Sequence, residues 1–111
     1  MQTDQDTEEA KPSAALVQYW VNGIENGPFD PRDAGLLSGL SIFETLRTYG
    51  THVFRLSYHY DRLCKSAKAL SIRPPTLEHF NSVLSARTAP DVALRYLLTA
   101  GGQEVIYRSS L

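Results

Sequence analysis

The chain has 111 residues, enough for one domain with a modest core. With 42% apolar and 21% charged residues and a net charge of −1, it sits among ordinary globular proteins and away from basic nucleic-acid binders. No stretch approaches the roughly 18 apolar residues of a membrane helix, and one cysteine, Cys64, excludes an internal disulfide.

Residues 1–13 are polar and acidic, with neither the positive start nor the apolar run of a signal peptide. They read as a disordered tail ahead of a domain over residues 14–103. Leu16–Val21 is β-rich and ends in Asn22-Gly23, a turn signal, so a strand and a short hairpin or bend are expected. Pro28, Pro31, Gly35 and Gly39 mark residues 28–40 as a loop.

From Ser41 to Tyr49 the residues alternate. Ile42, Glu44, Leu46 and Thr48 share one side of a strand; Phe43, Thr45, Arg47 and Tyr49 share the other. The first side suits a core. The second is aromatic and polar, and alternation alone leaves open whether it binds something or is simply solvated. Gly50-Thr51 makes a hairpin turn and Val53–Leu56 a return strand. Ser57 is placed to cap a helix, with Asp61 in its first turn. Tyr60, Leu63, Cys64, Ala67 and Leu70 form its apolar stripe, and His59, Arg62 and Ser66 run along one edge. Pro74-Pro75 breaks the chain, and Thr76 caps a second helix with Leu77, Phe80, Val83 and Leu84 on its apolar side. Val92–Leu98 is a last strand. The expected order is β-β-β-α-α-β, an α+β domain.

Taken alone, no motif is decisive. His52, His59 and His79 are not at zinc-ligand spacing, and the acidic residues are dispersed. The stretches SIFETLRTY (41–49) and FRLSYHYDRL (54–63), however, resemble the small N-terminal domain of the class IV pyridoxal-phosphate enzymes. These are the branched-chain and D-amino acid aminotransferases and aminodeoxychorismate lyase, of fold type IV. The likeness covers residues 17–102.

This resemblance implies pyridoxal 5'-phosphate as cofactor. It implies that Arg62, in the pattern His59-x-x-Arg62-Leu63, holds the cofactor phosphate, with His59 in support. A guanidinium suits that task, being planar, always charged and able to donate two parallel hydrogen bonds. It further implies that Phe43, Thr45 and Arg47 face the substrate, an amino acid or keto acid, with Arg47 as a carboxylate partner and Glu44 structural. Gly39-Leu40-Ser41 replaces the Gly-Asp-Gly of many members. Thr99-Ala100-Gly101 replaces Thr-Arg-Gly, which argues against a D-amino acid aminotransferase.

The family's Schiff-base lysine belongs to a following large domain. Lys11, Lys65 and Lys68 do not match it, and residues 104–111 read as the start of an interdomain linker. The expectation is therefore an inactive N-terminal fragment of a cytoplasmic, homodimeric enzyme, with a stand-alone binding or oligomerisation module as the alternative. No nucleic-acid or membrane partner and no metal is expected.

Overall fold

The computed structural model describes residues 17–111. The tail expected over residues 1–13, and residues 14–16 of the expected domain, lie outside the described residues.

Strand β1 (Gln18–Val21) turns through Asn22-Gly23 into β2 (Ile24–Glu25). Both turn residues have positive φ, 52° and 85°. This matches the two-residue hairpin turn whose twist suits paired strands, and it is why Asn-Gly announces one. The region expected as a plain loop holds a short helix, α1 (Ala34–Leu37), because Asp33 caps it by accepting from Gly35 N. Strand β3 (Ser41–Tyr49) follows, and Gly50-Thr51 turns the chain into β4 (His52–Val53).

The return strand is shorter than expected. Phe54 N donates to Arg47 O at 2.9 Å, and the next residue, Arg55, takes a left-handed conformation with φ 56°. That residue redirects the chain, so helix α2 spans Leu56–Ala69 with Arg55 at its N-cap. Ser57 is therefore not the cap but a first-turn residue, and Asp61 lies beyond the first turn. The stripe holds at Leu63 and Ala67, both fully buried, while Leu70 ends the helix exposed and Ile72 takes its place in the core. Helix α3 (Leu77–Ser85) begins as expected: Thr76 accepts from His79 N at 3.1 Å.

Strand β5 (Val92–Thr99) is followed by a second correction. Residues 104–110 are not a linker but strand β6 (Glu104–Ser110), paired with β5 on one side and β1 on the other. Val105, Ile106 and Tyr107 are strand formers, and Gly102 with φ 91° makes the turn that returns them. The antiparallel sheet runs β2-β1-β6-β5-β3-β4. The α+β class stands; the element order gains α1 and β6.

Helices α2 and α3 cover one face. Ile42 and Leu46 of β3 and Leu94, Tyr96 and Leu98 of β5 pack there against Leu63, Ala67, Phe80 and Leu84. Phe80 meets Tyr96 edge-on, ring centroids 5.0 Å apart. The segment carrying α1 lies against part of the other face, close enough that a Cβ on Gly35 would fall 2.5 Å from Thr99 Cβ. The rest of that face is uncovered among the described residues.

Candidate functional site

Alternation along β3 separates two sets of side chains. Glu44 lies on the helix-covered side, between Ile42 and Leu46, and is 6% exposed. A carboxylate in such a place is costly unless paired. Helix α2 supplies both partners from positions three apart, which share a helix edge. His59 Nδ1 is 2.8 Å from Glu44 Oε1. A carboxylate can only accept, so Nδ1 carries the proton. The other oxygen, Oε2, is 3.5 Å from Arg62 Nε, an ion-pair distance. His59 is 17% exposed and Arg62 57%, so the cluster grades from a buried acid to a cation at the surface. The Tyr58 ring lies beside it, 5.8 Å from the Arg62 guanidinium and 4.2 Å beneath that of Arg55.

Two facts place Arg62. It pairs with Glu44. It stands nearly two turns into α2, so the helix N-terminus does not add to its attraction for anions. Glu44, read as merely structural, is the residue that joins the cluster.

Phe43, Thr45 and Arg47 lie on the uncovered side of β3, so the structure does not bring them onto one face with Arg62. Phe43 is 51% exposed. The register sets Thr45 opposite Arg95 of β5, and Arg95 lays its guanidinium 4.2 Å over the Phe43 ring, with Nε 3.4 Å from Thr45 Oγ1. Arg47 sits over Tyr49 at 3.8 Å, donates from Nε to Thr48 O, and approaches Asp91 at 3.7 Å. Arg95 was missed by the sequence reading. Its signal, the strand pairing that places it beside Thr45, is not visible in one chain segment. A groove of about 360 Å³ runs between Thr45, Arg95, Tyr107 and Ser109. Chemically, this face offers two guanidinium groups, a hydroxyl and aromatic walls, suited to a carboxylate on an organic molecule.

A third polar cluster is structural. Asp33, nearly buried, accepts from Gly35 N and Gly101 N at 2.8 Å, from Gln103 Nε2 at 2.7 Å, and from Thr99 Oγ1. It ties the α1 segment to the β5–β6 turn. Burial alone pushes its carboxyl up, but the bonds from Thr99, Gln103, Gly35 and Gly101 outweigh it and hold the value at about 2. Gly101 is required here, since a Cβ would fall 2.5 Å from the carboxylate. Among the described residues no group of His, Cys, Asp and Glu could hold a metal ion, and no helix is long and apolar enough to cross a membrane.

Residues 41–109 match the family described as amino-transferase class IV. The chain belongs to that family. It is 39% identical over 89 residues to the "Putative branched-chain-amino-acid aminotransferase" of Methanocaldococcus jannaschii, a match that takes in 68% of this chain but 31% of that protein. Among solved structures it resembles the 4-amino-4-deoxychorismate lyase of Pseudomonas aeruginosa, at 24% identity and TM-score 0.69 over 84% of this chain and 39% of that one. It also resembles a hypothetical aminotransferase of Mycobacterium tuberculosis in its PLP-bound form, at 21% identity and TM-score 0.69 over 85% and 40%. The class IV chain thus spans about a third of the length of its Methanocaldococcus relative. The family and small-domain fold expected from the β3–α2 stretch are both present.

Proposed function

We propose that this chain supplies the phosphate-holding residue and, from the other face of β3, the substrate-facing residues of a pyridoxal-phosphate-dependent class IV enzyme. Its reaction is transamination, or lyase chemistry like that of aminodeoxychorismate lyase. Its substrate is an amino acid or an amino-substituted carboxylic acid. The observation that carries this reading is the Glu44–His59–Arg62 cluster, a surface guanidinium tethered at Nε by a buried carboxylate. Such a group fits a phosphate monoester, because the ion pair lies on the Nε edge and no hydrogen bond among the described residues occupies the terminal nitrogens. The PLP-bound form of a structural relative supports the cofactor's identity.

In this reading Arg62 holds the phosphate and His59 braces the acid that tethers it. Phe43 walls the substrate, Thr45 lines it, and Arg47, with Arg95 beside it, takes the substrate carboxylate. Bound cofactor supplies the electron sink for the carbon bearing the substrate's amino group. Lys65 and Lys68 are exposed on α2, so the amine that anchors the cofactor comes from outside residues 17–111. A homodimer in the cytoplasm completes the reading, on the family resemblance.

The test compares pyridoxal 5'-phosphate with pyridoxal, which lacks the phosphate, as ligands of the wild-type chain and of Arg62→Ala. The phosphate form should bind more tightly to the wild type, and the preference should vanish in the variant. An unchanged preference removes Arg62 from the site.

A further inference from the structure

Glu44 is the one acid on the buried side of β3, set between two core aliphatics and paired across the sheet with Tyr96. Core packing gives no reason for a carboxylate there, and a buried acid without partners is strongly destabilising. Its two oxygens divide the work. Oε1 takes the proton-bearing Nδ1 of His59, which fixes the carboxylate plane. Oε2 then faces Arg62 Nε. Arg62 forms no other ion pair or hydrogen bond among the described residues.

Resting on the reading of Arg62 as a phosphate ligand, we propose that Glu44 is the positioning residue of that site. Braced by His59, it holds the Nε edge of Arg62 so that both terminal amino groups are presented to one anion. The geometry opposes simple electrostatics here. As a bare negative charge, Glu44 would repel a phosphate and weaken its binding. As an aligner it strengthens binding, because a guanidinium with fewer orientations loses less freedom on forming a bidentate contact. The two roles predict changes of opposite sign.

The experiment uses the full chain, with inorganic phosphate as probe at low ionic strength, where screening is weak. Phosphate affinity and the Arg62 Nε–H resonance are followed by NMR in wild type, Glu44→Gln, Glu44→Asp and Arg62→Ala. Glu44→Gln keeps shape and removes charge; Glu44→Asp keeps charge and shortens the reach. Positioning predicts that both Glu44 variants bind phosphate more weakly, by about tenfold, the scale of one charge-assisted hydrogen bond. It also predicts that both shift the Nε–H resonance, and that Glu44→Gln has no further effect in an Arg62→Ala background. Tighter binding in Glu44→Gln, with Glu44→Asp unchanged, would mean that Glu44 is only a counter-charge and would overturn the proposal. A lower unfolding midpoint with unchanged affinity in the folded protein overturns it too, by leaving a purely structural role. If Arg62→Ala binds phosphate as well as wild type, the phosphate reading fails by itself. The Nε–H shift then still decides whether Glu44 orients Arg62.

Discussion

Arg62 and Asp33 show two ends that ionic residues serve. Arg62 keeps most of its surface and offers donors outward; Asp33 spends all its acceptor capacity inward. Arg62→Lys should therefore recover only part of what Arg62→Ala loses in affinity for pyridoxal 5'-phosphate. An ammonium cannot keep the Nε tether and donate in a plane as well. With a charge-assisted contact contributing about 1.5–3 kcal/mol, the alanine variant should bind about tenfold to a hundredfold more weakly. Isothermal titration of the three proteins checks the ranking, and equal affinities would contradict it. For Asp33, the folded value of about 2 lies below the ordinary 3.8. The unfolded chain thus binds the proton more readily, and the stabilisation, present in full above the ordinary value, drains away as pH falls from about 4 to about 2. Wild type should lose stability over that window faster than Asp33→Asn, whose amide does not titrate. Urea midpoints at steps of pH measure it, and parallel curves would show that Asp33 is not the group responsible.

At the scale of elements, legibility followed locality. β3 could be read from its own alternation, β1–β2 from Asn22-Gly23, and α3 from Thr76 and the spacing of Phe80 and Leu84, because each signal lies within one segment. The start of α2 could not. It depends on Arg55 adopting φ 56°, which propensity does not favour for arginine. Strand β6 was passed over because a family-based expectation of a linker outweighed its strand formers. The same division runs through the site. His59 and Arg62 were legible as a helix edge, whereas the Glu44 bridge and the Arg95–Thr45 pairing arise only when distant segments meet. The cap of α3 offers a direct check. Removing the Thr76 hydroxyl strips His79 N of its acceptor, so Thr76→Ala should destabilise the fold by about 1 kcal/mol, with Thr76→Ser close to wild type. A urea midpoint for Thr76→Ala equal to wild type would show that α3 is held by Phe80 and Leu84 alone.

For the whole molecule, the sheet divides the labour. One face is closed by α2 and α3 and makes the core; the other keeps Phe43, Thr45, Arg47 and Arg95 accessible. The described residues carry guanidinium groups on both sides of β3 but no enclosed amine. Lys65 and Lys68 stand exposed on α2, where water competes for any carbonyl they meet. An amine suited to imine chemistry is desolvated or set beside another cation so that it loses its proton readily. Lys65 has cationic neighbours three residues away, Arg62 and Lys68, but neither lysine is desolvated. The chain alone, mixed with pyridoxal 5'-phosphate and reduced with borohydride, should therefore show scattered labelling of accessible amines and no turnover of amino acids. Peptide mapping locates the adducts, and mass spectrometry gives their stoichiometry. A single stoichiometric adduct on Lys65 or Lys68, accompanied by transamination, would reverse the assignment. It would make α2 the bearer of both the phosphate ligand and the reacting amine.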